Sequence, residues 1–233
     1  GHTPSGISQD VIDETIDRFE SERGFKLEPL QRDGVKLTKY KAGVLSGCAG
    51  SGKTTTSDCM TEVLKTLDDY KIVYCAPTGK ACRRLAEVVK GTVRTIHSEF
   101  MVFGGGDSYL LPVKSRTNFG DKKIYILDEM AMCSSSLLFE VCRNISPDDM
   151  IYFLGDIKQL PPIGKGNPFA LLMKILPCVE LGVSKRAAEG SLVNYNVTLI
   201  NHMSDGYMRD LLYDDKTFIC RECDDANIPL MVT

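Results

Sequence analysis

The chain has 233 residues, 43% of them hydrophobic, and a net charge of −3, which is enough for one large domain or a domain and a half with a real core. There is no run of 18 apolar residues and the first thirty residues are acidic and helical in pattern, so neither a membrane span nor an export signal is expected. Nine scattered cysteines, several within apolar runs (Cys75, Cys142, Cys178), suit reduced thiols in a cytoplasm and not a disulfide framework.

Charge is uneven along the chain. Residues 71–123 hold ten Lys/Arg against four Asp/Glu, whereas residues 203–233 hold three against seven. A positive middle on an acidic chain is compatible with a local phosphate track, and equally with solvated helix faces. Cys220 and Cys223 have metal-like spacing, but a zinc site needs four ligands and no second pair accompanies them.

Residues 1–6 read as a flexible lead. Over residues 8–22, Val11, Ile12, Ile16 and Phe19 form a helical stripe with Ser8 or Asp10 available as N-cap. Residues 27–35, containing Pro29-Leu30-Gln31, form a short segment before a first strand at about 42–46. The next residues, Gly47-Cys48-Ala49-Gly50-Ser51-Gly52-Lys53-Thr54, fit the phosphate-binding spacing G-x-x-x-x-G-K-[ST]. Glycines at 47, 50 and 52 let the backbone curl its N–H groups around a phosphate, and the following helix points its positive end at the same anion. Lys53 would reach the outer phosphates and the Thr54 hydroxyl would ligate Mg²⁺. With Thr55 these residues make up the nucleotide cradle. Met60, Val63, Leu64 and Leu67 then recur at i, i+3, i+4 and i+7, which predicts an amphipathic helix lying on a sheet.

A second strand is expected at 71–76, leading into Pro77-Thr78-Gly79-Lys80 and a helix over 81–89 closed by Gly91. After Thr95-Ile96-His97, residues 99–103 and 108–113 flank Gly104-Gly105-Gly106-Asp107. This pattern reads as a β-hairpin insertion or as a surface loop. A third strand at 123–127 runs into Asp128-Glu129, and a helix starts near Ser134 to Ser136. A fourth strand at 150–154 ends in Gly155-Asp156, and Pro161-Pro162 stiffens the loop beyond it. A short helix at 169–176, a fifth strand at 178–181 and a helix at 188–204 complete the pattern. Strands separated by helices predict an α/β fold, with a mostly parallel sheet of five or more strands covered by helices on both faces. Ligands of such sheets bind at the carboxyl ends of the strands, where every polar cluster named above falls.

Hydrolysis needs a metal anchor and a base in addition to the cradle. An apolar strand ending in two carboxylates supplies both: Asp128 to hold Mg²⁺ and Glu129 to orient and deprotonate the attacking water. Gln159, after the next strand, is a neutral amide suited to sensing the γ-phosphate.

Taken in order, these motifs resemble those of the RecD-like branch of superfamily 1 DNA helicases, a group that includes the exonuclease V alpha subunit, and the likeness runs from Gln31 to Gly206. The resemblance implies a RecA-like P-loop lobe that binds ATP with Mg²⁺ and moves 5′ to 3′ on single-stranded DNA, opening duplex junctions. It assigns Gln31 to the adenine, and Pro77, Thr78, Gly79, Lys80, Thr95 and His97 to the DNA strand. Gly155 to Pro162, continued by Gly164, Gly166 and Phe169, matches a third helicase motif. Arg186 falls near the γ-phosphate, or pairs with Glu189 on an exposed turn. Two positions depart from the family: Met130 replaces a small residue after Asp-Glu, and Lys185 replaces an aromatic before Arg186.

On this resemblance the organisation is a helical lead-in at 1–40, a motor lobe at 41–206 with the hairpin insertion at about 98–122, and the start of a second lobe at 207–233. The arginine finger of that second lobe would be supplied in cis from outside these residues, and helicase or nuclease subunits are possible partners. Lys80, Arg83, Arg84, Arg94, Lys114 and Arg116 would line a strand-tracking surface, while Phe100, Phe103 and Tyr109 stack on bases or pack on one another. The competing class is a nucleotide-dependent module that binds DNA or a partner without turnover. A P-loop kinase of small molecules leaves Thr95-Ile96-His97 and Pro161-Pro162 without a role.

Overall fold

The computed structural model describes residues 2–100, 122–159, 162 and 166–182. The chain divides into two compact units, 1–184 and 185–233, and the described residues all belong to the first. Two helices lead in. α1 (Gln9–Arg23) starts at Ser8, whose hydroxyl accepts the Val11 N–H, and stops at Gly24, which takes the left-handed conformation at φ 69°. α2 (Pro29–Val35) begins with Pro at its first turn and a capping box between Glu28 and Gln31, the arrangement that satisfies the free N–H groups of a helix start. A 3-10 turn, Lys36–Lys39, carries the chain to the sheet.

The strands are β1 (Ala42–Gly47), β2 (Tyr70–Ala76), β3 (Thr92–Thr95), β4 (Lys122–Leu127), β5 (Met150–Gly155) and β6 (Cys178–Leu181). Their order across the sheet is β3-β2-β4-β5-β1-β6, and every pairing is parallel. The crossovers are α3 (Lys53–Leu64), α4 (Gly79–Val88), α5 (Ile96–Glu99), α6 (Ser135–Asn144) and α7 (Pro168–Ile175). The central strands are continuous apolar runs, and strand geometry sends alternate side chains to opposite faces. Leu45, Tyr74, Ile124, Ile126, Tyr152 and Leu154 meet Ile12 and Ile16 of α1, Val35 of α2 and Met60, Val63 and Leu64 of α3. Their sequence neighbours Val44, Val73, Cys75, Tyr125, Leu127, Ile151 and Phe153 meet Ile96 of α5, Leu137 and Val141 of α6 and Phe169 and Leu172 of α7. Each such side chain contributes roughly 1.5–3 kcal/mol when taken from water, so these two cores hold the helices to both faces of one sheet.

Several expectations are corrected. Residues 3–5 are not a free lead: the Ser5 N–H donates to the Lys39 carbonyl and the Lys41 N–H to that of Thr3, each at 2.9 Å, with Pro4 bridged to Tyr40. Residues 27–35 contain the full helix α2. Glu99 opens no hairpin strand but ends α5, because its carboxylate is drawn inward onto Lys123 at 2.6 Å and Arg94 at 3.2 Å. Of the span expected as an insertion at about 98–122, Ser98 and Glu99 belong to α5 and Lys122 to β4. Cys142 is exposed, unlike the fully buried Cys75. The hairpin residues 101–121, Arg186, Glu189, the 188–204 helix, Cys220 and Cys223 lie outside the described residues.

Candidate functional site

The strand order places the carboxyl ends of β4, β5 and β1 side by side, and three clusters meet there. β1 delivers the phosphate-binding loop. Gly50 and Gly52 adopt φ of 80° and 87°, a region L side chains rarely enter, and the loop is tightened by a hydrogen bond from Ser51 N–H to the Cys48 carbonyl. Gly47 admits no side chain, because a Cβ there would collide with the Ser51 hydroxyl. That hydroxyl is buried without a hydrogen-bond partner. Lys53, the first residue of α3, donates to the Gly47 carbonyl at 2.7 Å, folding its ammonium back across the loop. Thr54 is exposed and Thr55 half-buried in the first turn of the same helix. The Cys48 thiol reaches the Gly182 carbonyl just past β6, at 3.8 Å.

β4 delivers Asp128 and Glu129. The Asp128 N–H continues the ladder onto Cys75 of β2 at 2.8 Å, and its carboxylate accepts the Glu129 N–H at 2.8 Å. Burial holds the Asp128 carboxyl above its ordinary range; the Glu129 N–H opposes this, the Glu129 charge adds to it, and the Lys53 ammonium counteracts it. Lys53 and Asp128 thus act on each other electrostatically across two separate loops. Glu129 sits at φ 56° and ψ 35°. That turn swings the chain into a 3-10 segment, Met130–Met132, in which Met130 fills the core at 1% exposure. The bulky departure at Met130 is therefore accommodated by packing.

β5 ends in Gly155 and the buried Asp156. Asp156 caps its own turn, accepting the Lys158 N–H on its side chain and the Gln159 N–H on its carbonyl, each at 3.0 Å, and this presents an exposed Gln159. Gly155 is required by the close approach of Phe169 and of the Ala131 backbone, so the β5 loop, the Glu129 turn and α7 are packed as one.

Gln31 comes to the site from outside the sheet. Its carbonyl oxygen accepts the Glu28 N–H at 2.8 Å, and its amide nitrogen rests against Gly52, in the space a Cβ would occupy. The resemblance alone pointed to Gln31. The capping box that fixes it was readable as Glu28-Pro29-Leu30-Gln31 but was passed over.

The other half of the sheet edge carries the residues that the resemblance assigns to a DNA strand. Pro77 and Thr78 follow β2, and the Thr78 hydroxyl caps α4 by accepting the Ala81 N–H at 3.2 Å. Thr95 ends β3, opposite Ala76, and caps α5 by accepting the Ser98 N–H at 3.1 Å. Gly79, Lys80, Arg83, Arg84 and His97 are all exposed, and α4 has no buried residue. The predicted residues therefore fall into two groups: Lys53, Thr54, Asp128, Glu129, Gln159 and Gln31 at β1, β4 and β5, and Pro77 to Arg84 with Thr95 and His97 at β2 and β3.

The residues present fit a magnesium nucleotide. The loop has the glycine positions that let N–H groups converge on an anion, a lysine folded over a carbonyl in the same cradle, and the half-buried Asp128 carboxylate, which the Lys53 ammonium acts on. Among the described residues no group of three or more His, Cys, Asp and Glu is placed to hold a metal ion. No helix among these residues is long and apolar enough to cross a membrane.

Residues 26–216 match the AAA domain family. The chain is 32% identical over 162 residues to the ATP-dependent RecD2 DNA helicase of Deinococcus radiodurans, covering 68% of this chain and 21% of that protein. It is 26% identical over 180 residues to the RecBCD enzyme subunit RecD of Haemophilus influenzae, covering 69% and 28%. In fold it is similar to the Pif1 helicase from Candida albicans, with a TM-score of 0.56 at 18% identity over 75% of this chain and 44% of that one. The chain thus spans a fifth to rather more than a quarter of the length of these two curated relatives.

Proposed function

The chain belongs to the AAA domain family as a RecD-like motor lobe, and from that premise we propose that it binds Mg·ATP and couples its hydrolysis to movement along single-stranded DNA. The observation that carries this reading is the placement of Lys53 beyond β1 and of Asp128 and Glu129 beyond β4, two strands away on the same sheet edge, with Pro77 to Arg84 following β2, the neighbour of β4. Bound Mg²⁺ would neutralise charge on the outer phosphates, anchored by the Thr54 hydroxyl and, through water, by Asp128. Lys53 exchanges its bond to the Gly47 carbonyl for the phosphates. Glu129 accepts the proton of the attacking water, and its turn aims the carboxylate while Asp128 fixes its backbone N–H. Gln159 sits on a short loop able to register the γ-phosphate, and Gln31 meets the adenine above Gly52.

On the DNA side, the exposed basic residues of α4 contact phosphates and so are indifferent to sequence. The family resemblance assigns Arg186 to the γ-phosphoryl group and adds a second lobe in cis. Movement is 5′ to 3′, duplex junctions are the point of action, and helicase or nuclease subunits are candidate partners. A cytoplasmic setting suits the free thiols.

Two variants test the proposal. Lys53→Ala should abolish nucleotide binding measured by calorimetry. Glu129→Gln should bind Mg·ATP normally and lose about a hundredfold or more of the single-stranded-DNA-stimulated turnover, because the amide keeps shape and loses basicity. Normal turnover in Glu129→Gln would remove Glu129 as the base. No DNA stimulation in the wild type would favour a nucleotide-gated binding module.

A further inference from the structure

Glu20 lies on α1, well before the phosphate-binding loop in the chain, and its side chain is completely buried. It accepts four hydrogen bonds. Arg32 of α2 donates two, from Nε to Oε1 at 2.8 Å and from Nη2 to Oε2 at 2.7 Å. The Leu27 N–H donates at 2.9 Å, and Lys26 Nζ stands 2.8 Å from Oε2. Arg32 also reaches Asp17 at 2.7 Å. A fork-on-fork pair of this kind fixes direction as well as distance.

Arg32 directly follows Gln31. The Gln31 amide is held at one end by the Glu28 N–H and rests at the other against Gly52 of the phosphate loop. α2 is also pressed onto α3, since a Cβ on Gly34 would meet Thr56 at 2.8 Å and Leu45 at 2.9 Å. Gln31 is therefore set by two contacts of its helix, the Gly34 seat on α3 and the Arg32 clamp to Glu20.

We propose that Glu20 and Arg32 are positioning residues for base selection: by clamping α2 to α1 they hold the Gln31 amide over Gly52 at the place where the nucleobase is read. The proposal rests on the reading that Gln31 faces the base. Loosening the clamp lets α2 rotate about its Gly34 contact, which costs recognition of the base and leaves the phosphate cradle intact.

The test measures binding of ATP, GTP and inorganic tripolyphosphate, each with Mg²⁺, to the full chain, beside its melting temperature. Arg32→Lys keeps the charge and loses the fork. It should narrow the preference for ATP over GTP about five- to tenfold, the size of one lost hydrogen bond, while tripolyphosphate affinity stays at the wild-type value. Asp17→Ala, which removes only the exposed partner of Arg32, should leave the ATP/GTP ratio unchanged. Gln31→Ala separates the two ideas. If it does not alter the ratio, Gln31 does not face the base and the underlying reading fails. If Gln31→Ala collapses the ratio while Arg32→Lys preserves it, the clamp is overturned. Equal weakening of all three ligands by Arg32→Lys would make the pair merely structural and would also overturn it.

Discussion

Glu129 is the one non-glycine residue among those described that holds a positive φ, a conformation that costs an L side chain about 1–2 kcal/mol. The chain keeps that strain at the residue proposed as the base, the pattern expected where position matters more than comfort. Glu129→Gly should therefore raise folding stability by about 0.5–1 kcal/mol, after the greater freedom of glycine in the unfolded chain is subtracted, and should abolish hydrolysis. Denaturant melts beside an ATPase assay check both halves. Glu20 makes the opposite case. Its hydrogen bonds from Arg32, first among the causes, hold its carboxyl down to about 2 from an ordinary 4.5. A depressed carboxyl stabilises the fold above its unfolded value and loses that contribution as pH falls through the folded one. The stability gap between wild type and Glu20→Gln should thus be full above about pH 4.5 and close progressively towards pH 2, followed by urea unfolding across that range. Lys53, Asp128 and Glu129 were legible in the sequence because each belongs to a motif a few residues long. The clamp on Gln31 was not, since Glu20 and Arg32 are twelve positions apart and no local pattern pairs them.

At the scale of elements, α4 is the unusual one, a ten-residue helix with no buried residue and with Lys80, Arg83 and Arg84 in the open. A helix held only by its ends and one half-buried edge is available to a polyanion. Replacing Arg83 and Arg84 together by alanine should reduce the salt dependence of single-stranded DNA binding by roughly one to two units of log K per log salt, measured by fluorescence anisotropy across a salt series. An unchanged slope would put the track elsewhere. The long apolar strands β1, β2, β4 and β5 were legible because burial on both faces leaves continuous runs of Val, Ile, Leu and Tyr. β3, Thr92-Val93-Arg94-Thr95, was missed: it is four residues long at the sheet edge, and its alternation is too short to register. Glu99 was misread because Phe100-Met101-Val102-Phe103 looks like a strand, while the cation that draws Glu99 inward, Lys123, lies 24 residues away.

For the whole molecule, the cradle and the residues proposed as metal anchor and base come from one sheet edge on which Thr54 and Gln159 are exposed to water. Charge developing on a transferred phosphoryl group is stabilised well only in a closed, pre-organised site. The 233-residue chain by itself should accordingly bind Mg·ATP with modest affinity and hydrolyse it slowly. Robust DNA-stimulated turnover in a steady-state assay would require closure from within the chain, with Arg186 the first arginine to replace, or from a second copy.

Asp128 donates its backbone N–H to the carbonyl of Cys75, one residue before Ala76, where β2 turns into the loop that leads to α4. β2 runs parallel to β4 on one side and β3 on the other. A pull applied through α4 therefore enters the sheet along the axis of β2 and loads both seams in shear, with many bonds strained together instead of one after another. The same seam ends at Asp128, the residue proposed to anchor the metal. In a motor of the proposed kind, tension and fuel would share this single stiff beam, and mechanical compliance would belong to the loops at the strand ends and not to the sheet.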